Sequence, residues 1–271
     1  MKLFTEIATL VFMVSVLVTF TIAAMYLMRM MMKQKNDRLL QHLKRWACVL
    51  VISLLCMLYG QKATGTQPSG SLEVQQVLQD IPAYSGEASI EINGDEPFFT
   101  DDDLKTTDIH FSELDSLGRC GPAMGLITED TLGEGERGSI GMIKPSGWHN
   151  ERYDDLIEDR YLYNRCHLIA WSLCGINADE RNLITGTRYL NIEGMLSWEN
   201  MVHDYAADTG EDVLYRATPV FEGNNLVADG VLLEAMSVDD NGLGLSFCVY
   251  CYNVQPGIAI DYSDGSSSRA Q

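Results

Sequence analysis

The run YLYNRCHLIAWSL, beginning at Tyr161, sets Arg165 and His167 on either side of Cys166. Four chemistries are open to that histidine: metal ligand, thiol partner, general base or buried core imidazole. The surrounding aromatic and aliphatic residues read as a strand, whose period of two puts Tyr161, Tyr163, Arg165 and His167 on one face. Cys166 then points the other way, which argues against a Cys-His nucleophile and favours a core thiol or a disulfide partner. Further along, residues 188–208 (RYLNIEGMLSWENMVHDYAAD) read as a helix stopping near Gly210, with Met195, Trp198, Val202 and Tyr205 as its buried stripe. Asn191 and Glu199 are eight residues apart on it, so at 100° per residue they lie within about 80° of each other, two turns apart.

A strand carrying Arg and His beside a helix carrying an amide and a carboxylate suits phosphodiester hydrolysis with one divalent metal. An imidazole titrates near neutrality and can deprotonate a water. An oxygen-ligated Mg²⁺ can neutralise the charge that builds on the phosphate and on the leaving 3′ oxygen.

The elements that must position these groups are mixed in type, an α+β pattern. Residues 88–94 (ASIEING) alternate as a strand does. From residue 212 the chain turns β in character: DVLYRATPVFEG, NNLVADGVLLEAMSV and LGLSFCVYCYNV, with DDNG at 239–242 as a hairpin turn between the last two. Cys248 and Cys251, three apart in a strand, face opposite ways and make a poor redox or zinc pair. The acidic cluster DDDL at 101–104 lacks a calcium loop's ligand spacing and its glycine, and reads as solvated surface.

Charge divides the chain. Its 271 residues carry a net −19, yet the first sixty hold 7 basic and 2 acidic residues, leaving 12 against 36 and a net −24 in the remainder. Residues 7–28 hold no charge and would cross about 30 Å of hydrocarbon as a helix. A basic stretch comes next, then a second apolar run at 46–60, which is either a short second span or the core of a signal-like segment. Both readings keep the basic stretch cytoplasmic and export the chain beyond Gly60. That exported part comprises a linker at 61–72 and a globular domain at 73–271, tethered to the membrane or released after cleavage near residue 60. So acidic a domain is no generic polyanion binder, and contacts to phosphate must come from local arginines and a cation. Of seven cysteines, Cys48 and Cys56 sit in the second apolar run. Cys120, Cys166, Cys174, Cys248 and Cys251 remain, an odd set that leaves one or two disulfides open.

The ordered motifs NRCHLIAWSL, NLITGTRYLNIEGMLSWEN, YRATPVFEG, LVADGVLLEA and YNVQPGIAIDY, spread over residues 110–262, resemble the DNA/RNA non-specific endonucleases. These form the ββα-metal or His-Me finger group, and the likeness is greatest to its bacterial secreted and DNA-entry members. The resemblance implies a ββα-metal core with an antiparallel β-sheet, preceded here by one or two transmembrane helices. It makes His167, the end of the family's D-R-G-H signature, the general base, and Arg165 a phosphate-binding residue. It makes Asn191 the sole direct protein ligand of Mg²⁺, for which Mn²⁺ can substitute, and Glu199 the holder of a metal-bound water. Asn182 maps near the substrate. Asn164 and Cys166 stand where the signature has its acid and its glycine. Arg137 and Lys144, in a glycine-bearing loop before the strand, and Arg181 and Arg188 are further candidates for phosphate contact; His149 and His203 read as surface or packing residues. The implied activity is hydrolysis of DNA, with RNA as an alternative substrate, leaving 5′-phosphate ends. Two other roles stay open: a catalytically weakened module that binds nucleic acid or protein at the surface, and a component of DNA-uptake machinery.

Overall fold

The computed structural model describes residues 77, 78 and 80–270. Both apolar runs and the linker lie outside them, as do Cys48 and Cys56. Among the described residues no helix is long and apolar enough to cross a membrane.

The alternating runs from residue 212 onward form the centre of a six-stranded antiparallel sheet. Strand β1 is Ser89–Glu91, β2 His110–Phe111, β3 Ala123–Ile127, β6 Val213–Val220, β7 Gly230–Ser237 and β8 Ser246–Tyr252. Their spatial order is β1-β8-β7-β6-β3-β2. The turn at 239–242 joins β7 to β8, and its last two residues, Asn241 and Gly242, take the positive φ that such a reversal needs. Strands β7 and β8 are buried on both faces, and the period of two sorts their side chains. Val231, Leu233, Ala235, Phe247, Val249 and Cys251 enter the main core, while Leu232, Cys248, Tyr250 and Tyr252 pack under the segment from Val77 to Phe98. The two cysteines of CVYC therefore sit in different cores, as alternation requires, and all five described cysteines are unpaired thiols. Glu234 is fully buried, and its charge is met by its cross-strand neighbour Arg216 through two bonds of 2.7 and 2.8 Å. Paired in this way, a buried carboxylate is tolerated; alone it would cost several kcal/mol, on the order of 3–5.

A second unit packs on the main-core face. Strands β4, Tyr163–His167, and β5, Leu183–Thr187, pair antiparallel with Arg165 opposite Thr185 and His167 opposite Leu183. A short helix, α1 at Trp171–Cys174, and a loop join them. Asn182 closes this connection: its Oδ1 accepts from the Ile169 amide and its Nδ2 donates to the Ile169 carbonyl, both at 2.9 Å.

The predicted helix over 188–208 begins instead as a π-turn, Leu190–Met195, and continues as α2, Leu196–Thr209. Thr187 starts it by accepting the Leu190 amide, and Gly210, at φ 69°, ends it in the left-handed conformation that glycine adopts without strain. Met195 and Val202 are fully buried, and Trp198 and Tyr205 lie against the same core. Two strands and a helix thus form a ββα unit laid on an antiparallel sheet, which is the predicted α+β architecture. Two short strands, β9 at Ile258–Ile260 and β10 at Ser267–Arg269, form a separate pair.

Candidate active site

Strand β4 points Tyr163, Arg165 and His167 into one cleft of about 690 Å³, whose walls also carry Arg137, Arg188, Asn191 and Glu199. The side predicted to bear the chemistry is the side that faces this cleft. Cys166 turns into the core on the opposite side, only 1% exposed.

His167 is held at both ring nitrogens. Nε2 donates to the Asn177 carbonyl at 3.0 Å, which leaves Nδ1 as the acceptor, and the Arg137 guanidinium donates to it at 2.8 Å. Burial pushes the imidazole down to about 4; the bond to Asn177 opposes this, and the charge of Arg137 adds to it. The ring is therefore neutral at physiological pH, in one defined tautomer. Asn177 does more than hold the histidine. Its Oδ1 accepts from Arg137 Nε at 3.0 Å and its Nδ2 donates to the Gly138 carbonyl at 2.7 Å, so a single residue fixes both the imidazole and the arginine beside it.

Arg165 is tied to the loop ahead of the strand. Its Nε and Nη2 donate to the carbonyls of Ile143 and Gly141, and its guanidinium lies 4.0 Å from the ring centroid of Trp148. Nη1 makes no hydrogen bond among the described residues. Arg188 also lines the cleft, paired with Asp159 at 2.8 Å.

Asn191 and Glu199 both line the cleft, Asn191 from the π-turn and Glu199 from α2. An i→i+5 turn advances each residue by roughly 85° rather than 100°, so four such steps bring the two side chains to within roughly 20° of each other. Asn191 Oδ1 accepts from the Cys166 thiol at 3.1 Å. Glu199 is 8% exposed, and burial pushes its carboxyl up to about 8, against the attraction of Arg137. No hydrogen bond reaches it from the described residues. A nearly buried carboxyl left without a donor, lining the same cleft as an amide oxygen, is once ionised a donor set suited to a hard divalent cation and its waters. The residues present fit such an ion.

Other predicted residues stand elsewhere. Asn182, which the resemblance sets near the substrate, is fully buried with its amide spent on Ile169, so here it holds the chain behind the site. Arg181 is bound by Asp179 and Glu113, and Lys144 is exposed outside the cleft lining. His149 contacts the Asp264 carbonyl and His203 contacts Asp204, both away from the cleft. Sequence reasoning missed Asn177 and Trp148. Each acts from a loop, where no periodic pattern marks an inward-facing residue.

Comparison with known proteins agrees with this geometry. The family model described as DNA/RNA non-specific endonuclease matches residues 101–239, just over half of the chain. Among solved structures, the Sda1 nuclease with bound zinc ion is 31% identical, with a TM-score of 0.51, covering 61% of this chain and 82% of its own. NucA from Streptococcus agalactiae with magnesium ion bound is 23% identical, with a TM-score of 0.61, covering 73% of this chain and 97% of its own, and shows the same fold. No curated protein sequence matches. The ββα unit, the cleft and the family match converge: the chain belongs to the DNA/RNA non-specific endonuclease family.

Proposed function

We propose that this protein is a divalent-metal-dependent endonuclease that hydrolyses phosphodiester bonds of DNA, and of RNA as an alternative substrate, with His167 as general base. The observation that carries this reading is the fixed imidazole. Its Nε2 hydrogen is spent on Asn177, and its Nδ1 lone pair faces the cleft shared with Asn191 and Glu199. A base so arranged can accept a proton only at Nδ1.

Arg137 occupies that lone pair in this structure. A substrate phosphate is the stronger acceptor for a guanidinium, so binding would draw Arg137 onto the phosphate and release Nδ1. Arg165 Nη1 and Arg188 would take further phosphate oxygens. His167 then removes a proton from a water whose oxygen bonds to phosphorus as the P–O3′ bond breaks, leaving a 5′-phosphate and a 3′-hydroxyl that gains its proton from solvent. Asn191 and Glu199 would hold the cation, Mg²⁺ or Mn²⁺, which supplies charge neutralisation at the phosphate and the leaving oxygen. The apolar runs near the start of the chain support an extracytoplasmic site of action, tethered or released.

The test is supercoiled plasmid incubated with the full chain and Mg²⁺. Nicking and then degradation is expected, with the rate reduced by about 10²–10⁴ in His167→Ala. Plasmid that stays intact in both Mg²⁺ and Mn²⁺, or an equally active His167→Ala variant, would overturn the reading.

A further inference from the structure

An asparagine can serve a cation only through its oxygen, yet its terminal torsion is broad and nearly two-fold, so oxygen and nitrogen exchange places at little cost. Something must select the oxygen. Asn191 Oδ1 receives one hydrogen bond from the described side chains, and the donor is the Cys166 thiol at 3.1 Å. This thiol comes from β4, on the strand face opposite His167.

We infer that Cys166 is a positioning residue for Asn191, an inference that rests on the proposed role of Asn191 as metal ligand. The S–H group can donate to an amide oxygen, whereas an NH₂ turned to the same place would offer only a weak sulfur acceptor. The thiol therefore favours the orientation in which Oδ1 lies toward β4, with its second lone pair free for a cation. Packing keeps the sulfur at this spot. It is 1% exposed, and the other acceptor within reach of its single hydrogen, Met195 Sδ at 3.6 Å, is a weak one, so the amide oxygen at 3.1 Å takes the S–H. On the neighbouring strand residue 186 is glycine, and Cys166 fills the space its Cβ would take: a Cβ there would meet Cys166 Cβ at 2.6 Å and Sγ at 3.2 Å. Two positions in different strands thus combine to place one donor against one amide. A glycine at 166 would leave Asn191 without it.

The test measures Mn²⁺ and Mg²⁺ binding to the purified full chain without nucleic acid, by calorimetry and by the metal dependence of the melting temperature. Wild type is compared with Cys166→Ala, Cys166→Ser and Asn191→Ala. Loss of the donor in Cys166→Ala is expected to weaken Mn²⁺ binding by about tenfold, the usual effect of removing a group that orients a ligand. Cys166→Ser, which keeps a donor, is expected to stay within about threefold of wild type. A packing role alone would lower the metal-free melting temperature of Cys166→Ala and leave its Mn²⁺ affinity at the wild-type value, and that result overturns the inference. Equal weakening in the Ala and Ser variants overturns it too. Should Cys166→Ala fail to fold, Cys166→Ser alone decides, since near-wild-type affinity is expected and a tenfold loss counts against it. The metal-ligand role is checked separately: if Asn191→Ala binds Mn²⁺ as wild type does, the ligand assignment falls and this inference with it. If only Asn191→Ala is impaired, the inference alone falls.

Discussion

His167 can act as a base only while it is neutral, and its surroundings keep it so well below the ordinary range. With the folded imidazole near 4, the acid limb of kcat/KM, which reports the free enzyme, is expected below pH 6. Arg137 lowers that value by its charge, so Arg137→Gln should raise the imidazole's pKa and move the limb upward in pH, alongside any loss of substrate affinity; a limb that stays in place would separate Arg137 from the base. Glu199 makes the opposite case. Its folded carboxyl titrates near 8 against an ordinary 4.5, so the folded chain binds the extra proton between those values and loses stability as pH rises through them. Glu199→Gln removes that loss. The metal-free variant at pH 8 should be more stable by on the order of 2 kcal/mol, or roughly 4–8 °C in Tm, while binding Mn²⁺ more weakly; a lower Tm would contradict this. At this scale strand alternation alone separated Arg165 and His167 from Cys166. Asn177 was illegible because it reaches the histidine with a loop carbonyl, a group every residue carries. The thiol's bond to Asn191 was hidden for a related reason: it joins two elements whose separate patterns say only that each has a buried side.

The elements carry the site through two local devices. One is the π-turn over Leu190–Met195. Helical arithmetic at 100° per residue leaves Asn191 and Glu199 about 80° apart, and the wider turn closes most of that gap. Apolar spacing showed the helix, its stripe and its stop at Gly210, but a π-turn has no residue signature, so the alignment of Asn191 and Glu199 was not readable. The other device is the close contact of β4 and β5 at Gly186. A methyl group there would press on Cys166 Cβ at 2.6 Å, and two paired strands leave little room to yield. Gly186→Ala is expected to cost about 1–3 kcal/mol and to disturb Cys166 directly. Adding Cys166→Gly should return part of that loss, and a double-mutant cycle on denaturant midpoints would read the coupling. Strictly additive effects would mean that Gly186 answers to Leu190, its other close neighbour, rather than to the cysteine.

On the scale of the molecule the problem is electrostatic: a chain of net −19 must bind a polyanion. Composition made this conflict plain and pointed to local cations as its resolution. The cleft holds three arginines, Arg137, Arg165 and Arg188, whereas Arg181 and Arg216, outside the cleft lining, are committed to carboxylates. Even Arg188 shares its charge with Asp159. Few phosphates can then be neutralised at once, and the acidic surface beyond the cleft repels the rest of the duplex. Each neutralised phosphate contributes about −0.9 to the slope of log K against log salt for duplex DNA. Three contacts give a slope near −3, in contrast to the much steeper dependence of a protein that grips DNA along a basic face. Measured as 1/KM for a short duplex across a KCl series at fixed Mg²⁺, the slope should be about −3 or shallower, and Arg188→Ala should reduce its magnitude by about 1. A slope near −8 would require a basic surface that the described residues do not have, and would move the substrate contacts away from this cleft.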